Sequence, residues 1–439
     1  MNANPEFERQ LWLEFSVSRL ASVSLVLGVL LALTRALDDA HFKDATANTA
    51  AGLYLLMVSW WGARQAVDSV LDEQRNRTWD TQRLSALGPW AMVWGKLFGS
   101  TLVVWYGAVL CLLAYGLATA DSATLPWFCA YALVGGLALQ SFSFFLALLA
   151  LRLGHAGGGI SVLALLLALS FGPATLSALL RDARVAETVA WYGLPLPAPA
   201  LTLSALGLAL FWAMVANYRL MAQELCLRTL PWVWLAFALF LSVYLTGFAS
   251  PSSVTERFGF LLAAGFGVCL TLTYLDLLTE LNEPMRFKRL LTYAEQQDWR
   301  RFGEALPPWC ASLALAAVFG LPLSLLGWAA TSEGSEFRAY PLPILLLSLR
   351  DIGIFLLFRF GKNPRRALMA SLLCAVLLYG VIPGIFTGAD LPGLAAAVLP
   401  LRADSAVLAF AAAALQAAAA LSLAHARWRE AVYRPQPGA

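Results

Sequence analysis

Charge is scarce in this sequence. Asp, Glu, Lys and Arg make up 13% of the 439 residues, hydrophobic residues make up 60%, and the mean hydropathy is +0.69. Soluble domains carry about 25% charged and about 45–50% apolar residues, so a water-soluble fold is excluded. Histidine is almost missing: His41, His155 and His425 are far apart in the chain, and no metal site is expected from them. The six cysteines show neither a disulfide framework nor a metal-ligand spacing. Cys111, Cys129, Cys269, Cys310 and Cys374 lie in apolar runs and Cys226 at a membrane edge, which reads as packing. A net charge of +3 is too small to imply a nucleic-acid partner.

What the sequence has in quantity is long apolar runs. Twelve are predicted to span a bilayer, at 18–37, 50–70, 96–118, 126–151, 158–180, 199–219, 229–249, 257–279, 308–330, 340–360, 367–386 and 405–426. Each is long enough, at about 1.5 Å per residue, to cross a hydrocarbon core of about 30 Å. The fold class is therefore an all-α polytopic membrane protein. Loops are short and leave no room for a soluble domain. The amino terminus lacks the basic segment and small-residue cleavage site of a secretory signal, so the first run is expected to be retained. If that terminus is cytoplasmic, only Arg35, Lys43, Arg181, Arg184, Arg257, Arg338 and Arg402 lie outside, with Arg350 inside a span, and every other Lys and Arg faces the cytoplasm. This asymmetry predicts cytoplasmic termini and a multi-pass protein of an inner membrane. Before the first span, Phe7, Leu11, Trp12 and Phe15 recur at helical spacing opposite Glu6, Arg9, Gln10 and Glu14. An interface helix in contact with membrane lipid is predicted there.

Four weak internal matches occur in the same order. Arg9-Gln10-Leu11-Trp12-Leu13-Glu14 resembles Gln223-Glu224-Leu225-Cys226-Leu227-Arg228, and Leu151-Arg152-Leu153-Gly154 resembles Phe358-Arg359-Phe360-Gly361. Leu194-Pro195-Leu196-Pro197-Ala198 resembles Leu399-Pro400-Leu401-Arg402-Ala403. Arg83-Leu84 with Trp94-Gly95-Lys96-Leu97 is echoed by Arg289-Leu290 with Phe302-Gly303-Glu304-Ala305. Together they predict a tandem duplication of a six-span unit, with a first unit at 1–222 and a second at 223–439.

The densest polar string lies between the second and third spans, from Asp72 to Leu97. The span continues as a polar helix, Ser85 to Pro89 break it, and a short segment returns to the membrane at Lys96. Glu73, Thr78, Asp80, Leu84, Ser85, Leu87, Gly95, Lys96 and Leu97 resemble the cytoplasmic segment of type-2 ATP-binding-cassette exporter permeases. Three positions depart from that pattern: Arg77 stands where Gly is usual, Ala86 where Pro is usual, and Gly88-Pro89 where a Ser and a variable residue are usual. The resemblance implies a permease without its own ATPase, driven by separate ATPase subunits, two per chain, that press on this segment and carry the ATP. Glu73, Thr78, Asp80, Arg83, Leu84, Ser85, Lys96 and, from the second half, Arg289 are then the coupling residues. The chain agrees in having no Gly-x-x-x-x-Gly-Lys-Ser/Thr loop, since Gly88 to Lys96 has the wrong spacing and Leu97 follows the lysine. No enzymatic activity is expected of the chain itself. In the second half the equivalent loop, 280–306, carries Arg286, Lys288, Arg289, Arg300 and Arg301 instead, a run that also fits a surface near anionic lipid.

Inside the spans, Arg350 and Asp351 each cost about 2.5–3.5 kcal/mol on insertion scales. Adjacent helical residues point about 100° apart, so each is expected to need a partner or water from another helix. With Gln140, Ser143 and Asn217 they are candidates for a translocation path, or for polar fasteners between helices. Two rival classes remain open: an ion-gradient-driven twelve-span transporter, in which Arg350 and Asp351 are coupling residues, and a membrane scaffold or enzyme without transport. The substrate is not legible.

Overall fold

The computed structural model describes residues 4–38, 45–85, 87–119, 123–152, 188–227, 229, 231–249, 253–280, 282–326, 340–361 and 363–433. The predicted fifth span, 158–180, lies outside them, as do Ala86, Lys43, His41, His155 and the outer arginines Arg181, Arg184 and Arg338. By internal contacts the chain forms two units, residues 1–190 with 194–229, and residues 191–193 with 230–439. Among the described residues eight helices are long and apolar enough to cross a membrane, or nine if one bent pair counts as a single span.

In the first unit a short helix α1 (Pro5–Glu14) precedes α2 (Val17–Asp38). The predicted second span is a run of three pieces, outside that count: α3 (Ala45–Leu55), a π-helical stretch (Leu56–Gly62) and α4 (Ala63–Arg75). A short α5 (Trp79–Arg83) leads to α6 (Pro89–Ser100) and α7 (Leu102–Ala118), which bend by 52° about Thr101. The Thr101 hydroxyl donates to the Leu97 carbonyl at 2.8 Å; side-chain bonding of this kind back to the preceding turn bends helices. Then come α8 (Leu125–Arg152) and α9 (Ala198–Glu224). Just before α9, Thr188–Trp191 and Leu194–Pro197 pair as a small hairpin, with Tyr192 and Gly193 both at positive φ, as a two-residue turn of that hand requires.

The second unit contains α10 (Trp232–Thr246), α11 (Val254–Thr279), α12 (Pro284–Glu295), α13 (Trp299–Ala305), α14 (Pro308–Leu325) and α15 (Pro341–Arg359). It continues with α16 (Ala367–Val376), a second π-helical stretch (Leu377–Val381), α17 (Ile382–Gly388), α18 (Pro392–Val398) and α19 (Ala406–Tyr433). The alanine-rich α19 buries Ala409, Ala413, Ala417, Ala420 and Ala424 in one stripe. Gly353 of α15 has no side chain at the crossing, and a Cβ there would stand 2.9 Å from the Ala420 backbone. Close approach through small residues is how helices pack where lipid removes the hydrophobic drive between them. Elsewhere the outward faces carry Leu25, Val29, Leu33, Leu372, Leu373 and Leu415, as expected of helices facing hydrocarbon.

The apolar core of the first unit is densest around the polar continuation of its second span. Val67, Val70, Leu71, Trp79, Met92, Val93, Leu97, Phe144, Leu148 and Met221 form one buried cluster there, which fixes α4, α5 and α6 against α8 and α9.

Candidate functional site

The segment from Glu73 to Lys96 folds as an elbow. Its first arm, α4, ends in a Schellman-type closure, in which Arg77 N–H donates to the Gln74 carbonyl at 3.1 Å and Thr78 N–H to the Glu73 carbonyl at 2.9 Å. That closure satisfies carbonyls the helix end would leave unpaired and requires a left-handed residue, here Arg77 at φ 58°. The Thr78 hydroxyl adds a second donor to the Glu73 carbonyl at 3.2 Å. The departure noted in the sequence thus has a physical meaning, since glycine is the residue that adopts this conformation without steric cost. Arg77→Gly is expected to stabilise the protein by about 1 kcal/mol, read as a rise of the thermal unfolding midpoint in detergent.

Behind the turn lies a buried ionic cluster. Lys96, on α6, is 0% exposed. Its ammonium contacts a Glu73 carboxylate oxygen, the Glu6 Oε1 at 3.1 Å and the Gln82 Oε1 at 2.7 Å, and stands 5.7 Å from the centre of the Trp79 ring. Gln82 Nε2 donates to Glu73 at 2.6 Å. Arg9 bonds Glu6 twice, at 2.7 and 3.0 Å, and also donates to Glu73. Two carboxylates and two cations make the cluster neutral overall, the condition under which buried charge is tolerated. Burial pulls the Glu6 carboxyl up, but the hydrogen bond from Arg9 and the charges of Lys96 and Arg9 outweigh it and hold Glu6 below its ordinary 4.5. Its contribution to stability is therefore complete above about pH 4.5 and is lost as the pH falls through the lowered value.

Sequence reasoning placed Glu73 and Lys96 here but missed Glu6, Arg9 and Gln82. The signal was present in α1, whose polar face was legible while its destination was not. That face, with Glu6 and Gln10 buried, is turned toward α6, and Trp12 points away at 87% exposure. The approach is possible because Gly95 and Gly99 lack side chains: a Cβ on Gly95 would stand 2.6 Å from Glu6 Cβ, and one on Gly99 2.5 Å from Gln10 Cβ. Asn4 caps α1 through Glu6 N–H at 3.0 Å, and its amide donates to the Ala91 carbonyl at 2.7 Å.

The other coupling candidates sit at the apex. Asp80 is exposed and lies 3.6 Å from Arg83. Arg83 ties the apex to the end of α9 by donating to the Glu224 carbonyl at 2.8 Å. Leu84 is fully outward, and Ser85 is exposed with its N–H on the Gln82 carbonyl at 3.0 Å. The elbow therefore has a buried ionic base and an outward apex bearing Asp80 and Leu84.

Arg289 does not occupy the place equivalent to Arg83. It is exposed on α12, ahead of the left-handed turn at Gln297 (φ 55°), whereas Arg83 follows the turn at Arg77. The sequence pairing of Gly95 with Gly303 fails for the same reason, since Gly303 precedes the proline that opens the next apolar helix and Gly95 follows it. Two extra breaks, at Glu280 and Pro284, shift the register of the second loop.

Gln140, Ser143 and Asn217 are all buried in helix contacts. Gln140 accepts from Trp105 Nε1 at 2.9 Å and donates to the Val58 carbonyl in the π-helical stretch at 3.4 Å. Asn217 donates to the Ser141 carbonyl at 2.9 Å, and Ser143 bonds the Leu139 carbonyl of its own helix at 2.9 Å. Arg350 and Asp351 do face each other, contrary to the simple helical-wheel expectation: the long guanidinium folds back, with Nε 3.0 Å and Nη2 2.9 Å from Asp351 Oδ1. Partners from other helices complete the set. Gln416 accepts from Arg350 at 2.6 Å, and Asp351 Oδ2 accepts from Tyr274 at 2.9 Å and Tyr379 at 2.7 Å. The Arg350 guanidinium also lies 4.7 Å over the Tyr379 ring.

The chain is thus a polytopic helical membrane protein with a charge-anchored elbow on its first unit. The family model described as ABC-2 family transporter protein matches residues 34–275, more than half the chain, and the chain belongs to that family. Members work as membrane subunits with ATP-binding-cassette ATPase partners. Searches among curated proteins and solved structures returned no match. The matched residues include the elbow and stop short of the loop carrying Arg289.

Proposed function

We propose that this chain is the membrane subunit of an exporter in an inner membrane, with two six-span permease units at 1–222 and 223–439 and both termini in the cytoplasm. ATP acts through two separate ATPase subunits per chain, and no ATP site belongs to the chain itself. The observation that carries this reading is the elbow: a neutral ionic base buried beneath an exposed apex transmits a push without being taken apart by it. The ATPase pair, closing on ATP, shifts the population of the two units between inward and outward states. The division of internal contacts near residue 229 supports the two-unit reading. Arg350 and Asp351, already joined to each other and to three further helices, serve as an intramembrane fastener close to the path.

Purification of the tagged chain with its ATP-binding-cassette ATPase tests the assembly. One chain with two ATPase subunits is expected, and Asp80→Ala with Leu84→Ala is expected to lower both ATPase retention and hydrolysis. Two copies of the chain per ATPase pair would overturn the fused architecture. Transport in vesicles that follows a proton gradient and ignores ATP would overturn the whole reading.

A further inference from the structure

The loop between α11 and α14 matches little of the coupling pattern, yet its backbone repeats the elbow of the first unit. In each, a helix ends on a residue at positive φ, Arg77 at 58° and Gln297 at 55°. In each, the next N–H returns to the carbonyl five residues back: Thr78 to Glu73 at 2.9 Å, and Asp298 to Tyr293 at 3.0 Å. A tryptophan then opens a short helix, Trp79 or Trp299. Finally a Pro-Trp pair opens the following apolar helix, Pro89-Trp90 or Pro308-Trp309.

On this shared backbone the side chains are inverted. Asp80 stands third after the left-handed residue with its side chain 87% exposed, and Arg300 holds the same place at 86%. Trp79 is buried beside Lys96, whereas Trp299 is 68% exposed with Phe302 beside it. Tyr293 and Leu315 stand where Glu73 and Lys96 would be, so the ionic base is missing. The second elbow is anchored otherwise. Arg286 pairs with Glu280 and donates to the Ala305 carbonyl at 2.8 Å, Trp309 donates to Asn282 at 3.0 Å, and Trp428 donates to the Pro284 carbonyl at 2.9 Å. The fixed base leaves Trp299, Arg300 and Arg301 outward, with Arg300 paired to Glu304 at 3.5 Å and Arg301 to Asp298 at 3.3 Å.

We infer that this second elbow is a docking surface for an acidic patch, beside an apolar pocket for Trp299, on an ATPase subunit. The inference rests on the transporter reading above and names the partner chemistry of the loop that lies beyond the family match. Exposed tryptophan flanked by arginine is the composition of interface hot spots. An ATPase face complementary to Asp80 is not complementary to Arg300, so the two elbows take faces of different charge.

The test uses the purified complex of the full chain with its ATPase, comparing Arg300→Glu with Arg301→Glu, and separately Trp299→Ala. Retained ATPase is expected to fall from two subunits to one per chain, with affinity at the second site lowered about tenfold or more and restored by Arg300→Lys with Arg301→Lys. A thermal midpoint equal to wild type shows that the variants remain folded. Retention of two subunits with unchanged hydrolysis would overturn the inference while leaving the transporter reading standing. Unchanged ATPase retention with lost binding to vesicles of anionic phospholipid would overturn it too and assign the surface to lipid. A wild-type chain that retains no ATPase would instead remove the transporter reading itself.

Discussion

Lys96→Met is expected to destabilise the protein by about 3–5 kcal/mol, the usual cost of breaking a buried pair by removing one partner. The lysine is wholly buried and is shared by Glu73, Glu6 and Gln82. Without it two carboxylates face each other beside a single arginine, and the region can restore neutrality only by taking up a proton or opening to water. The first element to release is α1, whose polar face is held by this cluster. Thermal unfolding in detergent and limited proteolysis at the amino-terminal segment measure the effect. Lys96→Met with Glu73→Gln is expected to recover part of the lost stability, because one acid then remains against Arg9. A double variant no more stable than the single one would show that packing around Leu97 and Trp79 outweighs the charge balance.

Arg350→Leu is expected to lower stability by a similar amount, about 3–5 kcal/mol, and Arg350→Leu with Asp351→Leu by less than either single change. In the single variant Asp351 keeps two tyrosine donors but loses its only cation among the described contacts, inside a helix where a lone charge is costly. In the double variant no charge remains, although Gln416 loses its donor and keeps only its own bonds to the Ala397 and Val398 carbonyls. The interaction energy from this double-mutant cycle separates fastening from transport. If the double variant is stable but inactive, the pair does more than hold α15 to its neighbours.

Much of the molecule was legible in the sequence because hydrocarbon imposes a simple grammar. Each described apolar run became a helix, and the positions of Glu73, Thr78 and Lys96 in one segment marked the elbow. Three things escaped, each for a physical reason. The π-helical stretches at Leu56–Gly62 and Leu377–Val381 have no compositional signature, since one extra residue per turn leaves the apolar character of the run unchanged. Glu6 joins the ionic cluster from far along the chain, and Gln82 reaches it only because the left-handed turn at Arg77 folds α5 back over α4, contacts that no helical period records. The second elbow was hidden because residue identity sets Arg289 against Arg83. The conserved quantity between the two loops is a backbone turn, carried by Arg77 in one and Gln297 in the other, two side chains with no glycine to announce them.

The bend at Thr101 gives α6 the properties of a lever. Its twelve residues, Pro89 to Ser100, make an arm of about 18 Å, with the elbow at one end and a joint at the other whose hydroxyl already holds the Leu97 carbonyl. A rotation of about ten degrees at that joint moves the elbow end by about 3 Å. Gly95 and Gly99 lie along the arm and let α1 pack closely on it, and Lys96 ties to Glu6, so the interface helix and the arm form one packed pair. A displacement applied at the apex would by this geometry be geared down toward Thr101, where the same rotation shifts atoms by only a small fraction of that distance.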